Sequence, residues 1–97
     1  MSILPDNYAV KWGVEGVIVR DVVSGGPAAD AGVRPMEVDR RGNVFVDVIV
    51  GINDTKIRNF DDLFRSFDTR EPNEKVTVHI MRDGRETLIE MALQEIE

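Results

Sequence analysis

The segment Val44-Phe45-Val46-Asp47-Val48-Ile49-Val50-Gly51-Ile52-Asn53 is the most strand-like part of this 97-residue chain. Six of its ten residues are valine or isoleucine, and β-branched side chains pack well on a pleated sheet. The segment therefore predicts a continuous strand from Val44 to Ile52. Asn53-Asp54 is typical of a turn, so we expect a short returning strand at Thr55-Lys56-Ile57.

Other segments of the chain also predict strands. Lys75 to Arg82 alternates between apolar and polar residues, as half-buried strands do. Gly16 to Val23 reads as a strand that is half-buried at one end, with Val17 and Val19 on one face and Ile18, Arg20 and Val22 on the other. Asp83-Gly84 is typical of a two-residue hairpin turn, so Arg85 to Leu93 is predicted to pair with the strand before it. Met1 to Leu4 predicts a further short strand at the start of the chain.

The strongest helix signal extends from Asn59 to Thr69. Asn59 is a favourable N-cap, and apolar residues follow at helical spacing in a single stripe: Phe60, Leu63, Phe64 and Phe67. Shorter helical turns are predicted to end at Gly13 and Gly32, and the polar segment Arg34–Asn43 predicts an exposed, hairpin-like excursion. The fold class expected is α+β and mainly β: a small, partly open β-barrel or sandwich of about five or six strands, capped by one long and one or two short helices.

Length and composition exclude several classes of function. The chain is long enough for one domain, residues 1–97. Its net charge of −6, with no basic stripe, disfavours nucleic-acid binding. No apolar run approaches the roughly 20 residues that span a bilayer, so no membrane insertion is expected. The chain has no cysteine, which excludes disulfides and thiolate metal sites.

Catalytic residues are not predicted. Ser24-Gly25-Gly26-Pro27 superficially resembles the nucleophile loop of trypsin-like proteases, but Val22-Val23 stands where that loop has Gly-Asp. The one histidine, His79, is expected on the outward face of a strand, with no sign that it approaches Ser24. A Ser-His-Asp triad needs its three members to converge, so we expect no catalytic residue in this chain.

No metal site or cofactor is predicted either. Asp61-Asp62 is read as a favourable charge at a helix N-terminus. Asp47 and Asp54 are isolated acids without the spacing of a calcium loop, and we expect them to be solvated at the surface. His79 is expected to be a surface strand residue, because metal sites need several ligands.

Four segments resemble a known family through their order and spacing: Gly16-Val17-Ile18-Val19, Gly26-Pro27-Ala28-Ala29-Asp30-Ala31-Gly32-Val33, Asp47-Val48-Ile49-Val50-Gly51-Ile52-Asn53 and Asn59-Phe60-Asp61-Asp62-Leu63-Phe64. In this order they resemble a PDZ domain, in the circularly permuted arrangement of the HtrA/DegP-like serine proteases. The resemblance covers nearly the whole chain, from Ser2 to about Leu93.

That resemblance implies a module that docks extended or C-terminal peptide segments by β-strand addition. Its partners would be peptides or unfolded proteins with apolar C-terminal ends. It would be the regulatory or substrate-recognition part of a trypsin-like serine endopeptidase, so this chain alone is not expected to be an enzyme. The protease domain is expected upstream of residue 1, in a periplasmic or extracytoplasmic protein of the quality-control system. The isolated domain is expected to be monomeric, whereas the parent protease can be oligomeric.

The resemblance also assigns a peptide-binding site. The receiving strand would comprise Met1, Ser2, Ile3 and Leu4, with Ile3 on the floor of the pocket. The groove wall would comprise Phe60, Phe64 and Phe67, with Leu63 turned more toward the core. The alternative for the helix is that all four residues of its apolar stripe belong to the core.

Three positions depart from the family pattern. In the family, a loop directly before the receiving strand presents backbone N–H groups to the peptide carboxylate. The last position of that loop aligns with Met1, so we expect weak binding. Val46 and Asp54 stand where glycine is usual, and we expect Asp54 to adopt a left-handed conformation. Two other functions stay open: a structural or oligomer-contact domain with no ligand of its own, and an autonomous hydrolase dependent on Ser24.

Overall fold

The computed structural model describes residues 1–93. Its elements, in chain order, are β1 (Ser2–Ile3), α1 (Asp6–Lys11), β2 (Val17–Asp21), α2 (Pro27–Ala31), β3 (Glu37–Val38), β4 (Val44–Phe45), β5 (Asp47–Ile52), β6 (Thr55–Lys56), α3 (Phe60–Asp68), β7 (Lys75–Arg82) and β8 (Arg85–Ala92).

The larger sheet has the strand order β1-β2-β5-β7-β8, and β6 pairs with β5 outside this order. All of its neighbouring strands are antiparallel. β1 and β8 do not pair with each other, so the sheet stays open, and β3 pairs with β4 in a separate hairpin. The predicted fold class, a partly open and mainly β domain with one longer and two short helices, is confirmed. The circular permutation stays a prediction.

The continuous strand predicted from Val44 to Ile52 is wrong in its extent. The chain breaks at Val46, and the two parts have different partners. Val44 pairs with Val38 in the exposed β3–β4 hairpin, whereas β5 lies between β2 and β7. Because the first part is exposed and the second is buried on both faces, β-branched content alone could not separate them.

Apolar side chains pack on both faces of the sheet. The larger cluster includes Val17 and Val19 of β2, together with Leu63 of α3. The smaller cluster joins Ile18 of the same strand to Ala9 of α1. Successive side chains of a strand point to opposite faces, so β2 contributes to both clusters. None of the helices among residues 1–93 is long and apolar enough to cross a membrane.

Two turns decide the register of the hairpins. Asp83 and Gly84 both have positive φ angles, 52° and 78°, which is the type I′ geometry that Asp-Gly favours. In the β5–β6 turn the left-handed residue is Asn53, with φ 52°, so the expectation for Asp54 is wrong. Asn53 tolerates this conformation, and its Oδ1 accepts the N–H of Thr77 at 2.9 Å, which holds the turn against β7.

Candidate functional site

The first strand of the chain forms one edge of the larger sheet. The backbone N–H of Leu4 donates to the carbonyl of Ile18 in β2 at 2.9 Å. Successive residues of a strand direct their N–H and C=O groups to opposite sides, so the N–H and C=O of Ile3 face away from β2. No strand among residues 1–93 pairs with β1 on that outer side. The edge can therefore receive an additional strand.

Helix α3 is positioned near this edge at its first residue. The side chain of Asn59 caps the helix by accepting the N–H of Asp62 at 2.9 Å. The N–H of Phe60 donates to Oδ1 of Asp6 at 2.9 Å, and Asp6 begins α1 directly after β1. This bond links the beginning of α3 to the chain segment that leaves β1.

The apolar stripe of α3 divides between the core and the surface. Leu63 is fully buried in the larger cluster, and Phe67 packs against that cluster. Phe60 and Phe64 remain 41% and 53% exposed, with ring centroids 6.1 Å apart. The alternative that the whole stripe belongs to the core is therefore wrong, since two large aromatic rings stay in contact with solvent.

The predicted receiving strand contributes to the two faces of the sheet unequally. Met1 is buried in the larger cluster, and Ile3 packs against that cluster, which Phe67 also joins. Ser2 is buried, and its Oγ accepts from Nε of Arg20 at 3.3 Å. Leu4 packs in the smaller cluster. The side chains of Met1 and Ile3 thus lie on the face of the sheet against which α3 packs, whereas the Leu4 side chain lies on the opposite face.

Asp47 differs most from its expected environment. Instead of being solvated, it is 2% exposed and accepts two bonds from Arg82, at 2.8 Å from Nε and 2.6 Å from Nη2. It also accepts the backbone N–H of Arg34 at 2.9 Å, while Arg82 donates to the carbonyl of Gly32 at 2.8 Å. The hydrogen bond to Asp47 raises the pKa of Arg82 above its ordinary value. This ion pair connects the end of α2 to the sheet.

His79 is half-buried rather than a free surface residue. Its Nε2 lies 2.9 Å from the carbonyl oxygen of Asn53, and its Nδ1 lies 3.6 Å from Oε2 of Glu86. Ser24 lies in the exposed turn before α2. The neighbours of the imidazole are therefore Asn53 and Glu86, and neither is part of a Ser-His-Asp arrangement.

The comparison with known families agrees with this geometry. Residues 4–93 match the family model of the PDZ domain. The chain belongs to the PDZ domain family. It is therefore a PDZ domain and not a catalytic domain, as the resemblance in its sequence implied.

Two curated proteins of Arabidopsis thaliana are similar to this PDZ domain. One is "Protease Do-like 1, chloroplastic", 34% identical over 91 residues, which are 93% of this chain and 21% of that protein. The other is "Protease Do-like 8, chloroplastic", 28% identical over 97 residues, 98% of this chain and 22% of that protein. The predicted relationship to HtrA-type proteases is confirmed. The chain spans about a fifth of the length of these relatives.

Proposed function

We propose that this PDZ domain binds an extended peptide between β1 and α3 by β-strand addition. The observations that carry the proposal are the outward-facing backbone of Ile3 at the edge of the sheet and the exposed rings of Phe60 and Phe64 on α3. A peptide strand would pair its main chain with β1, and its alternate side chains would contact the helix. Met1, Ser2 and Leu4 would complete the receiving strand.

The two edges of the sheet are not equivalent. Helix α2 packs against β8, the strand at the other edge of the sheet. β8 also carries exposed charged residues, among them Arg85 and Glu90. β1 carries no charged side chain, and its residues are buried or partly buried by the core. This difference supports β1 as the edge that receives the peptide.

Antiparallel addition gives the peptide a direction. Its C-terminal end would lie beside Met1, and its upstream residues would pass toward Asp6. Phe67 packs against the same cluster as Met1 and Ile3, so an apolar terminal side chain would find apolar neighbours there. Each well-buried apolar side chain contributes about 1.5–3 kcal/mol. We therefore propose a preference for peptides with large apolar C-terminal residues.

The wider role that we propose is substrate recognition for a Do-like serine endopeptidase. The names of the two similar proteins describe them as proteases, and a peptide-docking domain would present partly unfolded substrates to such an enzyme in protein quality control. The compartment belongs to the same proposal. The resemblance implies a periplasmic or other extracytoplasmic location, whereas the names of both relatives say chloroplastic.

The test is a fluorescence-anisotropy titration of the 97-residue chain with labelled peptides that end in Leu or Phe. Phe64→Ala should weaken binding about tenfold or more, because it removes an aromatic ring that the bound peptide would bury. The matched control is Phe45→Ala, a phenylalanine with a similar exposure of 46% in the β3–β4 hairpin. Equal losses in both variants, or no binding of any peptide, would contradict the proposal.

The same titration tests how the peptide end is recognised. Amidated peptides should bind only slightly more weakly than peptides with a free carboxylate, because the loop expected to present backbone N–H groups to the terminus ends at Met1. Equal affinity for both forms would leave strand addition intact but would remove carboxylate recognition.

The second candidate function is a structural or oligomer-contact domain. It is favoured by exposed apolar residues in the β3–β4 hairpin, Val38, Val44 and Phe45, which an interface would cover. Sedimentation velocity over a wide concentration range distinguishes this function. A sedimentation coefficient that rises with concentration, and falls back in Phe45→Ala, would support it.

A further inference from the structure

A cavity of about 220 Å³ lies between α3 and β6. Its lining residues are predominantly cationic or hydroxyl-bearing: Thr55, Lys56, Asp62, Arg65, Ser66, Thr69 and Arg70. Three cations and one carboxylate give this lining a formal charge of +2, although the whole chain has a net charge of −6. Each cation also has a carboxylate partner outside the lining, namely Glu15, Asp61 or Glu74, so the positive charge is available to a ligand only where those ion pairs are weak.

The spacing of these residues along α3 separates the cavity from the peptide-binding edge. Asp62, Arg65, Ser66 and Thr69 follow the spacing i, i+3, i+4, i+7, which defines one face of a helix. At 100° per residue this face is centred roughly 160° around the helix axis from the apolar stripe. The cavity is thus a second site on the opposite side of the same helix.

Two buried hydrogen-bond donors in the lining have no partner among the described residues, 1–93. Ser66 is 6% exposed, and its hydroxyl has no partner among residues 1–93. The same holds for Nε of Arg70. A helical serine can bond to the carbonyl four residues before it, but Ser66 does not. A buried donor without a partner loses its hydration without compensation, so both groups would gain from an acceptor in the cavity.

Two cations of the lining, Lys56 and Arg65, form only weak ion pairs with nearby carboxylates. Lys56 lies 3.1 Å from Glu15, and Arg65 lies 3.0 Å from Asp61. All four side chains are mostly exposed, and exposed pairs of this kind contribute little to stability. An anion could therefore compete for both cations.

The remaining charges of the lining also leave room for an anion. Arg70 uses Nη1 to contact Oε2 of Glu74 at 3.1 Å, which leaves its Nε available. Oδ2 of Asp62 accepts the backbone N–H of Arg58 at 3.0 Å, so this oxygen is held by the backbone, while the negative charge of the carboxylate stays in the lining.

We propose that this cavity binds a compact oxyanion of the phosphate class. Ser66 and Nε of Arg70 would donate hydrogen bonds to its oxygens, and Lys56 and Arg65 would neutralise its charge. Arginine and hydroxyl groups are suited to such acceptors, because hydrogen bonds to a charged oxygen are shorter and stronger than neutral ones. This site is independent of the proposed peptide function.

The test is an NMR titration of the chain with inorganic phosphate, with sodium chloride added to keep the ionic strength constant. Arginine Nε–Hε groups give their own signals, so the Arg70 resonance reports directly on the site. We expect a saturable shift of that signal and of the Ser66 and Thr69 amides, with a Kd on the order of 1 mM. A shift that is linear in phosphate, or that chloride reproduces, would overturn the proposal.

Two variants distinguish a built site from general attraction to charge. Ser66→Ala should weaken phosphate binding about tenfold without lowering Tm, because alanine favours the helix and removes an unpartnered hydroxyl. Arg70→Lys should weaken it similarly, since it keeps the charge but loses Nε. Lys11→Gln removes one positive charge from α1, outside the lining, and should leave the affinity within about twofold.

Ser66→Ala decides the outcome even if Arg70→Lys does not fold. Phosphate affinity in Ser66→Ala equal to that of the unmodified chain would overturn the proposal. A loss of affinity in Lys11→Gln as large as in Ser66→Ala would do the same, because it would reveal a dependence on net charge alone.

Discussion

Replacing Asp47 by asparagine should destabilise the domain strongly while hardly changing its shape. The substitution is nearly isosteric, but it leaves the guanidinium of Arg82 without its carboxylate and sets an amide N–H₂ against a donor. Breaking a buried ion pair by removing one partner costs about 3–5 kcal/mol. We expect the lower end, about 3 kcal/mol, because the Arg82 side chain remains 18% exposed.

A loss of this size is large for a chain of 97 residues. Domains are stabilised by roughly 0.05–0.15 kcal/mol per residue, so about 3 kcal/mol is a substantial fraction of the total. At about 4–8 °C per kcal/mol for a domain of this size, Tm should fall by at least about 12 °C. In urea, with a slope of about 1–3 kcal/mol/M, the midpoint should fall by roughly 1–3 M.

The assay is urea unfolding followed in parallel by Trp12 fluorescence and far-UV circular dichroism. Asp83→Asn is the matched control, because Asp83 is the exposed neighbour of Arg82, and it should change the free energy of unfolding by less than about 0.5 kcal/mol. The double variant Asp47→Asn/Arg82→Gln should lose less than the sum of the single variants. The reasoning would be refuted if Asp47→Asn lost under 1 kcal/mol or behaved like its control.

Three further predictions follow from the fold. Leu63→Ala should lower the free energy of unfolding by about 2–5 kcal/mol, whereas Phe64→Ala should change it by less than about 1 kcal/mol. Thermal unfolding of the two variants tests this difference, and similar losses would mean that Phe64 is a core residue. Gly16→Ala should destabilise by more than about 2 kcal/mol, because Gly16 has φ +142° and a Cβ there would lie 2.7 Å from a backbone oxygen of β5; an unchanged Tm would contradict this close approach. The side-chain amide of Asn43, followed by backbone N–H groups, lowers the pKa of Asp39 below its ordinary value of 3.8. The ionised Asp39 therefore stabilises this loop above pH 3.8, and the loop loosens as the pH falls through the lowered pKa. An NMR titration should show that the pKa of Asp39 rises in Asn43→Ala, and an unchanged pKa would exclude the amide as the main cause.

Much of the local structure could be predicted from the sequence alone. The N-cap at Asn59, the type I′ turn at Asp83-Gly84 and the end of α2 at Gly32 all depend on residues within a few positions of each other. These signals act through local backbone geometry and hydrogen bonds. The order of such segments was also enough to indicate the PDZ family, which the comparison confirmed.

Features that depend on distant residues could not be predicted in this way. Asp47 and Arg82 are 35 positions apart, and only the register of β5 against β7 brings them together. The same applies to Asn53, which adopts the left-handed conformation where Asp54 was expected to, because its side chain bonds to β7. An isolated acid or a turn dipeptide looks the same in sequence whether or not a distant strand provides its partner.

The candidate site combines both kinds of information. The spacing of the apolar stripe in α3 follows from the sequence, since helical periodicity sets which residues share a face. The spacing does not decide which of these residues are buried. Leu63 and Phe64 belong to the same stripe, yet Leu63 packs in the core and Phe64 stays exposed. That division depends on where β1 and the rest of the sheet lie against the helix, because burial is a property of the packed chain and not of the helix itself.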